Sequence, residues 1–331
     1  MKRITAIALG LVASVALVGV GSLARGNPHA RARLVTADAS GPLARVAIRY
    51  APAGEPLVLA IWRQLFAVLP ASVEVDVEVE AAPDFARFMA ALREGDVPNR
   101  GRFHPVVVGA PLTGARDRDV AIVDPDGRPA ILAPWGIAIS GGDVVATPRW
   151  LFADAKLVAK NRGADRGAIA HALNRRFGQE LLLLGHAVGD VPRQPIATYL
   201  APLDDRTIAV GDVHLGLALL GQAARSVDDG EAARFDRVAE MLAAKGFRVV
   251  RTPALVREGG GAFATYTSVL FDRERDGTRV VYLPTYGLQA LDEAAQRLYE
   301  SEGFVVHAID VVRLDASAGS LGGLVDVRAR G

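Results

Sequence analysis

The stretch EAARFDRVAEMLAAKGFRVV, Glu231 to Val250, reads as one helix, one stop and one strand. Phe235, Val238, Met241 and Leu242 fall on a single helical stripe, Gly246 sits where a left-handed residue ends a helix, and Phe247 to Val250 continues as an apolar strand. The same grammar returns in LDEAAQRLYESEGFVV, where Leu291 to Glu300 is the helix, Gly303 the stop and Phe304 to Val306 the strand. Gly246-Phe247-Arg248-Val249-Val250 and Gly303-Phe304-Val305-Val306 hold equivalent places in successive units, the mark of an internal repeat.

Working outward, the pattern extends over most of the chain. Leu43 to Tyr50 alternates as a strand, and LVLAIWRQLFAVL (Leu57 to Leu69) is a helix through Leu57, Ile61, Leu65 and Val68. SVEVDVEVE (Ser72 to Glu80) alternates valine and acid as a strand with one buried and one wet face. Asp84 to Arg93 and Ala168 to Phe177 are further helices, and Pro105 to Val108 and Leu181 to Leu184 further strands. Hairpins are expected at Val120 to Leu132 around Asp124-Pro125-Asp126-Gly127, at Val144 to Ala153, at Thr198 to Val210 and at Thr265 to Leu283. A closing strand is read at Leu324 to Val327, just after Gly322 and Gly323.

About five such units of roughly 50 to 60 residues, none able to bury its own apolar face, predict an α/β ring with helices outside and strands toward a central axis. The runner-up is a doubly wound parallel sheet, against which the hairpins inside the units argue.

Composition narrows the function classes. With 331 residues and 50% apolar content, the chain can bury a large core. Lys plus Arg numbers 38 against 37 acidic residues, so no net field recruits nucleic acid. Residues 1–24 combine Lys2 and Arg3 with an apolar run from Ile4 to Ala24, the pattern of a signal peptide that exports the body to the periplasm or the medium. Retained instead of cleaved, the same run is an N-terminal membrane anchor. Residues 25–42 read as a tether, leaving residues 43–331 as the domain proper. The chain has no cysteine, which removes disulfides, thiolate metal sites and any thiol nucleophile together.

Five segments carry a family likeness: SGGDVVATPRWLFADAKLVAKN (Ser140 to Asn161), RQPIATYLAPLDDRTIAVGD (Arg193 to Asp212), TYTSVLFD (Thr265 to Asp272), VYLPTYG (Val281 to Gly287) and GSLGGLVDVRAR (Gly319 to Arg330). In order and spacing the chain resembles the pentein superfamily, from about Arg45 to its end. Members of that superfamily include agmatine, arginine and peptidylarginine deiminases, amidinotransferases and dimethylarginine dimethylaminohydrolases. The resemblance implies a five-bladed α/β propeller whose central channel holds a guanidino substrate, attacked by a Cys with a His as acid and base. Carried onto this chain, the nucleophile position reads Gly323, and the His-x-Asp step reads Pro195 and Ala197. The GGN-like motif ends in Asp143, and the Trp-x-Arg-Asp-like step reads Gly114-Ala115-Arg116-Asp117, so the family's guanidinium-binding carboxylate is retained as Asp117.

The resemblance therefore implies a scaffold without catalytic residues: a pseudoenzyme binding a small cationic or guanidino ligand, or a protein partner. Arg116, Asp117 and Asp143 are ligand-binding candidates, against the plainer readings of a solvated charge run and a turn-capping Asp. His214, two residues from Asp212, is the most site-like histidine, as strand alternation would put both on one face. In the alternative reading, His214, Asp117 or Asp143 activates water on a guanidino compound. In a third, side chains fill the channel and the outer helices carry the function. Ser320 has no neighbouring base, Trp62, Trp135 and Trp150 read as core or rim residues, and Gly259 to Gly261 fails the phosphate-loop pattern. No motif calls for a cofactor or a metal.

Overall fold

In the computed structural model the two glycine-stopped units of the sequence become two parallel crossovers of the same register. Gly246 and Gly303 take φ values of 88° and 81°, left-handed backbone that glycine adopts without a Cβ clash. Each is followed by a strand pairing in parallel with the strand before the helix: Thr207 lies opposite Arg248, and Arg279 opposite Phe304. The structure describes residues 33–34, 37–109, 112, 122–123, 137–221, 229–256, 262–314 and 321–331. All of them belong to one compact unit, Arg31–Gly331.

In chain order, β1 (Arg33–Leu34) precedes β2 (Leu43–Tyr50), α1 (Glu55–Val68), β3 (Glu74–Val79), α2 (Ala82–Glu94) and β4 (Phe103–Val107). Then come β5 (Ile122–Val123), β6 (Val144–Ala146), β7 (Trp150–Asp154), α3 (Ala155–Lys160), α4 (Arg166–Phe177) and β8 (Glu180–Leu184). The third group is β9 (Leu200–Pro202), β10 (Thr207–Asp212), α5 (Val213–Leu219), α6 (Asp229–Ala244), β11 (Arg248–Val256) and β12 (Ala262–Thr265). The last is β13 (Leu270–Arg273), β14 (Arg279–Thr285), α7 (Gln289–Ser301), β15 (Phe304–Asp310), α8 (Leu321–Leu324) and β16 (Asp326–Arg330).

Four sheets, ordered β16-β2-β3-β4, β6-β7-β8, β9-β10-β11-β12 and β13-β14-β15, repeat one theme among the described residues. In each, an antiparallel pair is followed by a parallel crossover through helix. The fold is thus mixed α/β. β16 pairs with β2, so the last strand of the chain is built into the sheet of the first long one. The expected hairpin at Val120 to Leu132 falls almost wholly outside the described residues, of which only β5 remains, paired with β1.

The valines of β3, Val75, Val77 and Val79, are fully buried against α1 and α2 in a core that includes Tyr50, Trp62, Phe66, Phe88 and Phe103. Here the α1 stripe is corrected: Leu57 and Val68 are exposed, and Val58, Ile61, Trp62, Leu65 and Phe66 face inward. Burying Trp62 and Phe66 removes far more apolar area from water than burying Leu57 and Val68, so the helix rotates to the larger side chains. The tether expectation fails for its last residues as well, since Leu34, Asp38 and Ala39 are buried. The closing strand begins two residues later than expected, because Leu321 to Leu324 forms a helical turn ahead of Asp326–Arg330.

Gly216 lies where α5 crosses β11, and a Cβ there would come within 2.2 Å of the Ala254 carbonyl oxygen. We expect Gly216→Ala to push the helix off the strand and cost about 1–3 kcal/mol, read as a lowered denaturant midpoint at unchanged slope. All six tyrosines have their hydroxyls pushed above the ordinary range, in each case chiefly by burial. Neutral tyrosine is therefore favoured in the fold, and its contribution is intact below pH about 10 and lost as the unfolded chain ionises above it. In an alkaline titration the phenolate absorbance should appear in a single step coincident with unfolding. Gradual ionisation of folded protein near pH 10 would contradict this burial.

Candidate functional site

Because side chains alternate along a strand, the face of the β16-β2-β3-β4 sheet turned away from α1 and α2 carries the residues between the buried valines. These are Arg45 and Arg49 on β2, Glu74, Asp76 and Glu78 on β3, His104 on β4, and Asp326 and Arg328 on β16. The parallel register sets Arg45 beside Glu74 and Arg49 beside Glu78. The face that the alternation marks as wet is filled by ion pairs. Arg45 meets Asp76 at 3.3 Å, His104 pairs with Glu74, and Arg49 Nε donates to Glu78 Oε2 at 2.7 Å. From the far strand, Arg328 Nη2 donates to Glu78 Oε1 at 2.7 Å.

A recess opens at the end of this face, lined by Ala47, Arg49, Glu78, Gly323, Leu324 and Asp326. Gly323 is part of its lining, and a Cβ built there would meet nothing within 4 Å. The structure thus brings the position matched to the family's nucleophile into a cavity with two carboxylates and a guanidinium. Among the described residues, no histidine lines it.

Pro195, matched with Ala197 to the His-x-Asp step, caps a short 3₁₀ turn ahead of β9 that has Ala197 at its middle; Pro195 is exposed and Ala197 half-buried. Pro195 lies against the glycine pair of the other motif, since a Cβ on Gly142 would sit 3.3 Å from Pro195 Cβ. The segment leading to Pro195 is held by Lys156, whose Nζ donates to the carbonyls of Pro192 and Gln194 at 2.5 and 2.6 Å. Lys156 also meets Asp154 Oδ2 at 2.7 Å, and that carboxylate accepts from the Tyr199 hydroxyl at 2.6 Å. Burial pulls the Lys156 ammonium below its usual range, while Asp154 opposes the shift. Sequence reading missed this clamp; its only signal was a lysine two residues after an aspartate that ends a buried strand.

Asp143 is the turn-capping residue of its two readings. Its Oδ2 accepts from the Ser140 backbone N–H at 2.7 Å and the Ser140 hydroxyl at 2.8 Å, and pairs with Lys160 at 2.7 Å. His214 is corrected: it lies in α5, not on a strand with Asp212. Asp212 is the helix cap, accepting from the Leu215 N–H at 2.8 Å, while the exposed His214 faces Asp236 at 3.6 Å. A cap must lie just before the helix its side chain closes, so the two-residue spacing had a structural cause. Arg116 and Asp117 lie outside the described residues, as do Trp135, Ser320 and Gly259 to Gly261. Trp62 is core, and Trp150 packs edge-on to Phe247. Among the described residues no three His, Asp or Glu side chains converge as a metal cage.

No family model and no curated protein matches this chain. Solved structures do. The agmatine deiminase of C. jejuni, solved with substrate bound as a cysteine-to-serine variant, is 17% identical over 91% of this chain and 97% of its own, with a TM-score of 0.66. The agmatine deiminase of Enterococcus faecalis is 12% identical over 90% of this chain and 96% of its own, with a TM-score of 0.62. The chain therefore shares its fold with these two agmatine deiminases.

Glu78 accepts from two guanidinium groups with little solvent access, the three side chains being 17%, 12% and 20% exposed for Arg49, Glu78 and Arg328. Replacing the shared carboxylate removes one counter-charge from each cation. Glu78→Gln is expected to cost about 2–4 kcal/mol of stability. Glu74→Gln, whose pair with His104 is about half-exposed, should cost under about 1 kcal/mol. Equal losses for the two in chemical denaturation would refute the stitching role of Glu78.

Proposed function

We propose that this chain is an exported pentein-fold protein that has lost covalent guanidino chemistry and acts by binding. Its ligand is a small cationic or guanidino molecule; a protein partner is the other occupant the loss of chemistry leaves open. One observation carries the reading. Where the resemblance puts a nucleophile, the recess is lined by a glycine with open space at its Cβ position, in a chain without any cysteine. Two further points support it: the resemblance matches Pro195 and Ala197 to the acid/base step, and among the described residues no histidine lines the recess. Losing a nucleophile alone costs other enzymes on the order of 10⁴ to 10⁶ in turnover.

A cation is favoured because Glu78 and Asp326 supply two carboxylates, and partial enclosure strengthens a charge-assisted hydrogen bond. The same reading closes the described units into a five-bladed ring, joined by β16 on β2. Export rests on Lys2, Arg3 and the apolar run that follows them.

Incubating the purified body with agmatine, arginine and an arginyl peptide should release neither ammonia nor a ureido product, while calorimetric titration should register heat at millimolar ligand. Turnover would overturn the silent reading, and absence of heat across the panel would overturn small-ligand binding. Gly323→Cys gives an independent check. The open space accepts the thiol, so the variant should fold and remain without turnover; activity appearing in it would mean that an acid/base does reach the recess.

A further inference from the structure

β16 carries an irregularity that has a chemical consequence. Val327 pairs with Val46 and Ala329 with Arg45, two residues advancing on β16 for one on β2, so Arg328 is the extra residue of a β-bulge. A bulge re-aims a side chain, and the Arg328 guanidinium reaches not the neighbouring strand but the next one, roughly 10 Å away at two strand spacings. Its way lies across β2, where Ala47, opposite Asp326, presents only a methyl group. At the end of that reach it takes Glu78 Oε1 at 2.7 Å, and Asp326 lies 3.6 Å from the same nitrogen. Arg49 already holds the other oxygen, Oε2. Both oxygens of the recess's most enclosed carboxylate are thus engaged by guanidinium groups of the chain itself.

Resting on the binding reading above, we propose that Arg328 is a built-in competitor for the recess: its guanidinium occupies the carboxylate that a guanidino ligand would use, and such a ligand binds by displacing it. The two cations differ in what fixes them. Arg49 is a cross-strand neighbour of Glu78 in the regular β2–β3 register. Arg328 stands on a bulge near the end of the last strand, keeps Asp326 as a second carboxylate, and can leave Glu78 without breaking a ladder pairing. The device sets affinity and selectivity together. A point-charge ammonium cannot replace the planar fork that a carboxylate receives from a guanidinium, so the competitor is displaced by guanidines in preference to amines.

The test is calorimetric titration of the folded chain with agmatine, and with butylamine as the amine control, in wild type, Arg328→Met and Glu78→Gln. Arg328→Met should bind agmatine at least tenfold more tightly than wild type, with no comparable gain for butylamine, and Glu78→Gln should bind neither. Agmatine should also raise the thermal midpoint of Arg328→Met more than that of wild type. Equal agmatine affinity in wild type and Arg328→Met would overturn the competitor and leave the binding reading standing. Silence in both folded proteins would overturn the two together. If Arg328→Met does not fold, Arg328→Gln retains a neutral donor to Glu78 and is held to the same tenfold criterion.

Discussion

The pairing of β16 with β2 is the constraint on which the rest of this structure depends. Strands paired only with their sequence neighbours could form four independent sheets; β16 instead returns the chain to the sheet near its start. Side-chain contacts reinforce the closure from both sides. Asp272 accepts from the Leu43 N–H at 2.6 Å, and the half-buried Arg330 donates to the Gly41 carbonyl at 2.7 Å and the Phe271 carbonyl at 3.0 Å. Burial pushes the Arg330 guanidinium down to about 10, with Asp38 and Asp272 resisting. Two of these contacts, Leu43 to Asp272 and Gly41 to Arg330, link residues more than two hundred positions apart, so the loop-closure entropy they oppose is large and is met once, at the seam.

The seam also explains where the charged face lies. Glu78 on β3 holds Arg49 on β2 and Arg328 on β16, so one carboxylate ties three adjacent strands on the side opposite the aromatic core. A buried ion pair of this kind seldom adds much net stability over a well-packed apolar substitute. Its contribution is to orientation: the guanidinium fork accepts few geometries, and it fixes β16 against its neighbours where a slip of one residue would exchange the two faces.

The repeat was legible because each unit announces itself locally. The glycine stops at Gly246 and Gly303, the apolar stripes of α6 and α7 and the valine alternation of β3 are one-dimensional signals, and each corresponds to an element. What could not be read depends on partners distant in sequence. The alternation of Glu74, Asp76 and Glu78 identifies a polar face but not that arginines from β2 and β16 fill it. The bulge at Arg328 has no sequence signature, since it is defined by counting residues on two strands at once. Asp212 and His214 illustrate the opposite failure: a spacing with chemical appeal arose from a helix cap. Gly322 and Gly323 were placed ahead of a strand, but the strand waits for a helical turn, and that turn brings Gly323 to the recess lining.

The space in the recess and the charges around it are separate matters. A glycine at position 323 leaves space; it does nothing to the carboxylates beside it. Left alone, Glu78 and Asp326 in a partly enclosed recess would bear the desolvation cost of two negative charges without a substrate to offset it. Arg49 and Arg328 supply the missing counter-charges from within the chain. The chemistry that suits a carboxylate to a guanidino ligand suits it equally to an arginine of the same chain, which gives this fold a route to stability that keeps its acidic residues. On that argument the retention of carboxylates in such a fold is no evidence of turnover, and what discriminates binding from structure is how readily the internal guanidinium leaves.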